Sequence, residues 1–130
     1  RVLDYGCGSG ILAIGAVLHG AGQVDAVDID PAAVDSTRAN ALANGVTLTA
    51  ALPDAAQGAY GLVYANILAT PLKLLAPVLS AHVASGGDLV LAGILERQAD
   101  ELKAAYAPWL ALEVRDSEEG WILMTARRAA

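Results

Sequence analysis

The sequence predicts an α/β fold: a doubly wound, mostly parallel seven-stranded sheet that ends in an antiparallel C-terminal hairpin. Three observations predict it. Short β-rich runs alternate with helical stretches from Arg1 to Ala107. A glycine-rich octet, LDYGCGSG at Leu3 to Gly10, joins the first strand to the first helix. The last two strand-like runs are separated only by a turn-like segment, and strands joined that closely must be antiparallel.

Each element has its own signal. Arg1 to Tyr5 reads as a short strand, and Ile11 to His19 as a helix stopped by Gly20-Ala21-Gly22. Gln23 to Asp28 is a second strand. Asp30-Pro31 then supplies an N-cap with proline at the first helical position, and Ala32 to Ala43 runs to an Asn44-Gly45 stop. Val46 to Ala51 is a third strand and Leu62 to Ala65 a fourth. Pro71 to Val83 reads as a helix ending at Ser85-Gly86-Gly87, where Gly58 and Gly86-Gly87 are loop punctuation. Asp88 to Ala92 is a fifth strand and Glu96 to Ala107 a helix. Ala111 to Arg115 and Trp121 to Ala126 close the pattern across Asp116 to Gly120. There is no repeat, low-complexity tract or linker, so one domain over residues 1–130 is expected.

Composition narrows the function classes. A chain of 130 residues is one domain's length and buries roughly two-thirds of its unfolded surface. The apolar fraction is 55%, yet the longest uninterrupted apolar run, Gly10 to Leu18, has nine residues, short of the ~20 a bilayer span needs. No membrane association is expected. The net charge of −6, with no basic cluster beyond Arg127-Arg128, predicts no direct nucleic-acid partner. A single cysteine, Cys7, fits a reducing compartment, and a cytoplasmic location is expected. No secretory leader pattern occurs, and the chain opens on Arg1 inside an apolar run, as a fragment of a longer protein would.

In open α/β sheets ligands bind beyond the carboxyl ends of the strands, where the octet lies. Gly6 suits a backbone conformation closed to other residues, Gly8 lets a ligand lie against the main chain, and Gly10 lets the following helix pack tightly on the sheet. The spacing is not G-x-G-x-x-G, because Ile11 stands where the third glycine of a dinucleotide fingerprint would fall. Nor is it a P-loop, since Ile11-Leu12 replaces Lys-Ser/Thr. The first strand also carries an acid, Asp4, with no base nearby, which disfavours a pyrophosphate and favours a cationic ligand, an ammonium or a sulfonium. Asp28, 22 residues after Gly6, is placed to accept the hydroxyls of a ribose. Asp30 is better used as a helix cap. A loop that suits a cation, followed by a ribose acid, points to S-adenosylmethionine; a plain tight turn is the alternative. Asp54, after the third strand, is the candidate for the adenine.

The third informative stretch is Ala65-Asn66-Ile67-Leu68-Ala69-Thr70-Pro71-Leu72 at the carboxyl end of the fourth strand, which in this kind of sheet neighbours the first. Asn66 is the candidate for chemistry, its amide accepting a hydrogen bond from an amine and aiming the amine's lone pair. Capping the next helix is its alternative role. Cys7 reads as a small filler, His19 and His82 as surface residues, and Trp109 and Trp121 as packing at the sheet edge, with Trp121 also placed to border a substrate channel. Glu118-Glu119 reads as a solvated turn, and no His/Cys/Asp cluster has metal-ligand spacing.

The motifs LDYGCGSGILAIGA, AVDIDPAAVDSTRANALANGV, VYANILATPLKLLAPVL, GGDLVLAGILERQADELKAAY and EEGWILM, in this order, resemble the catalytic domain of the bacterial methyltransferases that modify ribosomal large-subunit protein eleven. The glycine loop is shared widely among Rossmann-like methyltransferases. The Asn-Ile-Leu-Ala-x-Pro-Leu run and the downstream Gly93-Ile94-Leu95 with Gln98 are much narrower signals. The resemblance implies that Gly6, Gly8 and Asp28 hold S-adenosylmethionine and that Asn66 touches both cofactor and substrate amine. It further implies methylation of the N-terminal amine and lysine side chains of the ribosomal protein. Two departures stand out. The family's amino-terminal recognition domain, linker and Gly/Thr/His segment have no counterpart here, and Gly61 replaces the usual Asp near the fourth strand. Rival readings are a methyltransferase for another amine or small molecule, and a cofactor-binding module without catalysis.

Overall fold

The computed structural model describes residues 1–130. The chain divides into two compact units, Arg1–Tyr60 and Gly61–Ala130. The first contains β1 (Val2–Tyr5), α1 (Ile11–Leu18), β2 (Val24–Val27), α2 (Pro31–Ala43), β3 (Thr49–Ala51) and a 3₁₀ turn at Pro53–Ala55. Its strands are parallel in the order β3-β2-β1, with Val2 opposite Val24 and Asp25 opposite Thr49.

The helix boundaries in this unit follow from capping. Asp30 accepts a hydrogen bond from the Ala32 amide at 2.9 Å, and Pro31 occupies the first turn, as expected for an Asp-Pro start. At the other end of α2, Gly45 has φ 66° while its amide bonds to Leu42 O and that of Val46 to Ala41 O, a Schellman closure. That closure corrects the expected third strand. Val46 is consumed by the helix cap, so β3 begins at Thr49 and not at Val46. Val24 and Ala26 pack with Cys7 and with Ala13 of α1 in one buried cluster, while Leu3 and Val27, out of phase along their strands, are buried on the other face of the sheet. Beside this core, Tyr60 Oη donates to the buried Asp25 at 2.6 Å, and the exposed Arg1 guanidinium stacks 4.2 Å above the Tyr60 ring while donating to Gln57 O and Ala59 O.

β4 (Tyr60–Asn66) leads into the second unit, with α3 (Ala69–Leu74), α4 (Ala76–His82), β5 (Val83–Leu95), a 3₁₀ turn at Glu96–Gln98, α5 (Ala99–Tyr106), β6 (Glu113–Glu118) and β7 (Trp121–Arg127). The strand order here is β4-β5-β7-β6, and β7 is antiparallel to both neighbours. Leu72, Leu79, Leu89, Leu91, Leu102 and Met124 form a fully buried core, into which Tyr106 Oη donates to Leu72 O at 2.7 Å. No helix of the chain is long and apolar enough to cross a membrane.

Five expected elements are corrected here. The fourth strand is longer than Leu62–Ala65, reaching Asn66 itself. The helix expected over Pro71–Val83 is two helices meeting at Leu75, because Pro77 lacks the amide that would continue the ladder. The Ser85-Gly86-Gly87 segment is not a loop. It extends β5, since Gly86 N donates to Arg128 O and Arg128 N to Gly87 O at 2.9 Å. The Arg128 guanidinium adds hydrogen bonds to Ser80 O and Val83 O, tying the end of α4 to the C-terminal strand. The helix expected from Glu96 starts as a 3₁₀ turn, whose entry is fixed by Gln98 Oε1 accepting from Leu95 N at 2.8 Å. The sixth strand is Glu113–Glu118 in place of Ala111–Arg115, because the hairpin turn is only Glu119-Gly120, with φ 52° and 84°. Positive φ at both turn residues is the two-residue type I′ geometry that matches strand twist.

Candidate functional site

The first unit gathers Asp4, Gly6, Gly8, Gly10 and Asp28 at the carboxyl ends of β1 and β2. Gly6 and Cys7 both donate to Val27 O, at 2.7 and 3.0 Å, which turns the chain sharply at the end of β1. All three glycines have positive φ (83°, 57° and 85°), so side chains would be strained at each. A Cβ on Gly8 would meet nothing within 4 Å, leaving its backbone bare for a ligand. Gly10 is different. A Cβ there would lie 2.7 Å from Thr37 Cγ2, so this glycine lets the start of α1 approach α2, whereas the sequence suggested packing on the sheet.

Asp28 spans the cradle. Its Oδ2 accepts from the Gly8 amide at 3.0 Å and its Oδ1 from the Asp30 amide at 2.9 Å. Each carboxylate oxygen has a second lone pair, so the group holds the loop and still has acceptor capacity for hydroxyls. Asp54, on the 3₁₀ turn after β3, is exposed on the same strand ends, where Asp28 N bonds to Ala51 O.

Asp4 is the unusual group. It is 3% exposed, and its Oδ2 is buried without a hydrogen-bond partner. Burial pushes its pKa up to about 6; the Ala13 amide pulls it down in part, and the negative charge of Asp28 adds to the rise. A buried carboxylate with an orphan oxygen is a costly arrangement in a folded protein unless a cation completes it. The donor set therefore fits a nucleoside that carries an ammonium: an acid for the cation, bare glycine backbone for the body, and a second acid for vicinal hydroxyls.

Asn66 belongs to the second unit, at the exposed end of β4. It does not cap the helix that follows, because the N-cap position of α3 is Leu68 and no side chain caps it. A residue that the sequence marked only as part of a family motif shapes its surroundings. Gly93, at the bulge of β5 with φ 79°, leaves room for the Asn66 amide: a Cβ there would come within 2.7 Å of Asn66 Oδ1 and 2.9 Å of Ile67 O. Gly93 also borders a cleft of about 210 Å³ lined by Asp116, Glu118 and the half-exposed Trp121.

The remaining candidates fall into place by burial. Cys7 is buried with its Sγ 3.3 Å from Thr37 Oγ1, and burial pushes its thiol up, as suits a filler. His19 is exposed and His82 half-buried. Thr37 and Asn40 of α2, which the sequence did not single out, both reach the glycine loop. Their only signal is polarity on the inward, i, i+3 face of an otherwise apolar helix stripe.

A family model described as ribosomal protein L11 methyltransferase (PrmA) matches residues 1–129. A ribosomal protein L11 methyltransferase of a Polaromonas species is 75% identical over 127 residues, covering 98% of this chain and 43% of that protein. Its Bordetella parapertussis counterpart is 58% identical over 130 residues, covering 99% of this chain and 42% of that protein. A crystal structure of the ribosomal protein L11 methylase from Lactobacillus delbrueckii subsp. bulgaricus matches with a TM-score of 0.89 at 32% identity, covering 99% of this chain and 70% of that one. The chain spans less than half the length of the curated relatives it matches. The structural likeness also carries the fold class, the seven-stranded mixed α/β sheet of Rossmann-like methyltransferases.

Proposed function

Because the chain belongs to the ribosomal protein L11 methyltransferase family, a family of S-adenosylmethionine-dependent enzymes, we propose that it transfers methyl groups from S-adenosylmethionine to amines of that large-subunit ribosomal protein, in the cytoplasm. The amines are lysine side chains and the N-terminal amine, and residues 1–130 are its catalytic domain. The observation that carries the reading is the cradle of the first unit, where the buried Asp4 with its orphan oxygen and Asp28 flank the bare backbone of Gly8.

When bound, the cofactor supplies a methyl group on a positively charged sulfur, ready for in-line displacement. The protein's own residues position and select. Asp4 pairs with the ammonium of the ligand, Gly6 and Gly8 admit its body along the main chain, Gly10 completes the loop by letting α1 start close to α2, and Asp28 takes the ribose hydroxyls. Asp54 is assigned to the adenine. Asn66 orients the incoming amine and also contacts the cofactor. An amine of ordinary lysine basicity, pKa about 10.4, must arrive neutral, and a poorly hydrated site favours that form. Asn66 suits this task because a neutral amide accepts a hydrogen bond from the amine without stabilising its ammonium form, as a carboxylate would. Catalysis of this kind rests on positioning and exclusion of water.

Calorimetric titration with S-adenosylhomocysteine and NAD, followed by mass measurement of the ribosomal protein after incubation with S-adenosylmethionine, tests the reading. Expected are binding of S-adenosylhomocysteine in preference to NAD and a mass gain in steps of one methyl group. Tighter NAD binding defeats the cofactor assignment, and a free amine methylated in place of the protein defeats the substrate assignment.

A further inference from the structure

The conformation of the glycine loop is held from behind by α2. Thr37 is fully buried, and its hydroxyl donates to Gly8 O at 3.0 Å. That proton being committed, the contact with Cys7 Sγ at 3.3 Å is one in which the thiol donates to Thr37 Oγ1. One turn further along α2, Asn40 Nδ2 donates to Ser9 O at 2.8 Å. The next carbonyl, that of Gly10, accepts from Ile14 N at 2.9 Å as the first bond of α1. Three successive loop carbonyls are thus occupied by donors from the helices, while the Gly8 amide is directed to Asp28. The methyl group of Thr37 fills the space a Gly10 side chain would take.

We propose that Thr37, assisted by Asn40, is a positioning residue for cofactor binding, holding the Gly8 and Ser9 carbonyls on the α2 side of the loop so that the opposite side is presented to the ligand. The inference rests on reading Gly6 to Gly10 as the cofactor loop. Without the hydroxyl, the Gly8 carbonyl loses its partner and the loop gains conformers in which that carbonyl turns out, into the space the ligand would fill. Such conformers compete with binding, and the penalty falls on cofactor affinity while the protein substrate is read elsewhere.

Two substitutions at one position separate hydrogen bonding from packing. Thr37→Val keeps the shape against Gly10 but removes the hydroxyl; Thr37→Ser keeps the hydroxyl but removes the methyl. In the full-length protein, Thr37→Val is expected to weaken S-adenosylhomocysteine binding about five- to fiftyfold, measured calorimetrically well below the melting temperature. The KM for S-adenosylmethionine rises in parallel, and the KM for the ribosomal protein stays within about twofold. Thr37→Ser restores affinity to within about threefold of the parent. Asn40→Ala, at a half-buried position that folding tolerates, weakens binding about two- to fivefold. Parental affinity in both Thr37→Val and Asn40→Ala overturns the proposal, as does Thr37→Ser binding more weakly than Thr37→Val, since packing would then be the operative contact. Failure of the unaltered protein to bind S-adenosylhomocysteine is a separate result that overturns the cofactor reading itself, and this proposal with it.

Discussion

Asp4 should make both stability and ligand affinity depend on pH, and Asp4→Asn should remove both dependences. A carboxyl raised from 3.8 to about 6 binds its proton more tightly when folded. Its contribution to stability is therefore complete below the ordinary carboxylate range and is lost as pH rises through about 6. The whole effect is about 3 kcal/mol, and the part falling between about pH 5 and pH 7.5 is about 1.4 kcal/mol. The side-chain amide introduced by Asp4→Asn would still accept from the Ala13 amide, so the substitution removes the titration without removing that bond. Urea unfolding at the two pH values, on parent and variant, is expected to show the parent losing about 1.4 kcal/mol more than Asp4→Asn on going to the higher pH. Binding runs the opposite way. A ligand ammonium needs the ionised carboxyl, so S-adenosylhomocysteine should bind the parent about tenfold more weakly at about pH 5 than at pH 7.5, and the variant weakly at both. Equal stability slopes in parent and variant would refute the burial argument, and parental affinity in Asp4→Asn would refute the ammonium assignment.

Asp28→Ala should weaken S-adenosylhomocysteine binding about ten- to a hundredfold through lost charge-assisted hydrogen bonds, whereas Asp30→Ala should lower helix stability by about 1 kcal/mol and leave affinity nearly intact. Calorimetry on the pair decides, and the reverse pattern means that the wrong acid holds the ribose. Asn66→Ala should reduce kcat for methylation of the ribosomal protein more than it weakens cofactor binding, and Asn66→Asp should show a loss that recovers as pH rises. Turnover equal to the parent in Asn66→Ala removes the residue from the mechanism. Glu119→Asn should stabilise the fold by about 0.5 to 1 kcal/mol, because Asn adopts the φ of 52° in the β6–β7 turn at lower cost than Glu. An unchanged urea midpoint would mean that the turn is not under strain.

Several local determinants were legible in the sequence, although the break at Pro77 and the use of Val46 in a helix cap were not. Asp30-Pro31 and Asn44-Gly45 set the ends of α2 through a side-chain cap and a left-handed glycine, both readable within a few residues. The glycine loop and Asp28 were legible for the same reason, as backbone chemistry at fixed spacing after a strand, and the structure joins them through the Gly8–Asp28 hydrogen bond. The narrow family motifs around Asn66 and Gly93 carried the resemblance that the comparisons bear out. Much of what the sequence left open depends on partners distant along the chain. Gly86-Gly87 looks like a turn until Arg128, more than forty positions away, supplies the ladder and the guanidinium that make it strand. The register of β6 follows from a two-residue turn whose Glu119 gives no sign of a positive φ. Asp4 reads as an acid beside a loop, and only packing reveals that one of its oxygens is sealed from water with nothing to bond. Thr37 reads as one polar residue on a helix; tertiary structure alone decides that it faces inward and holds Gly8, because a hydrogen bond across 29 positions has no local signature.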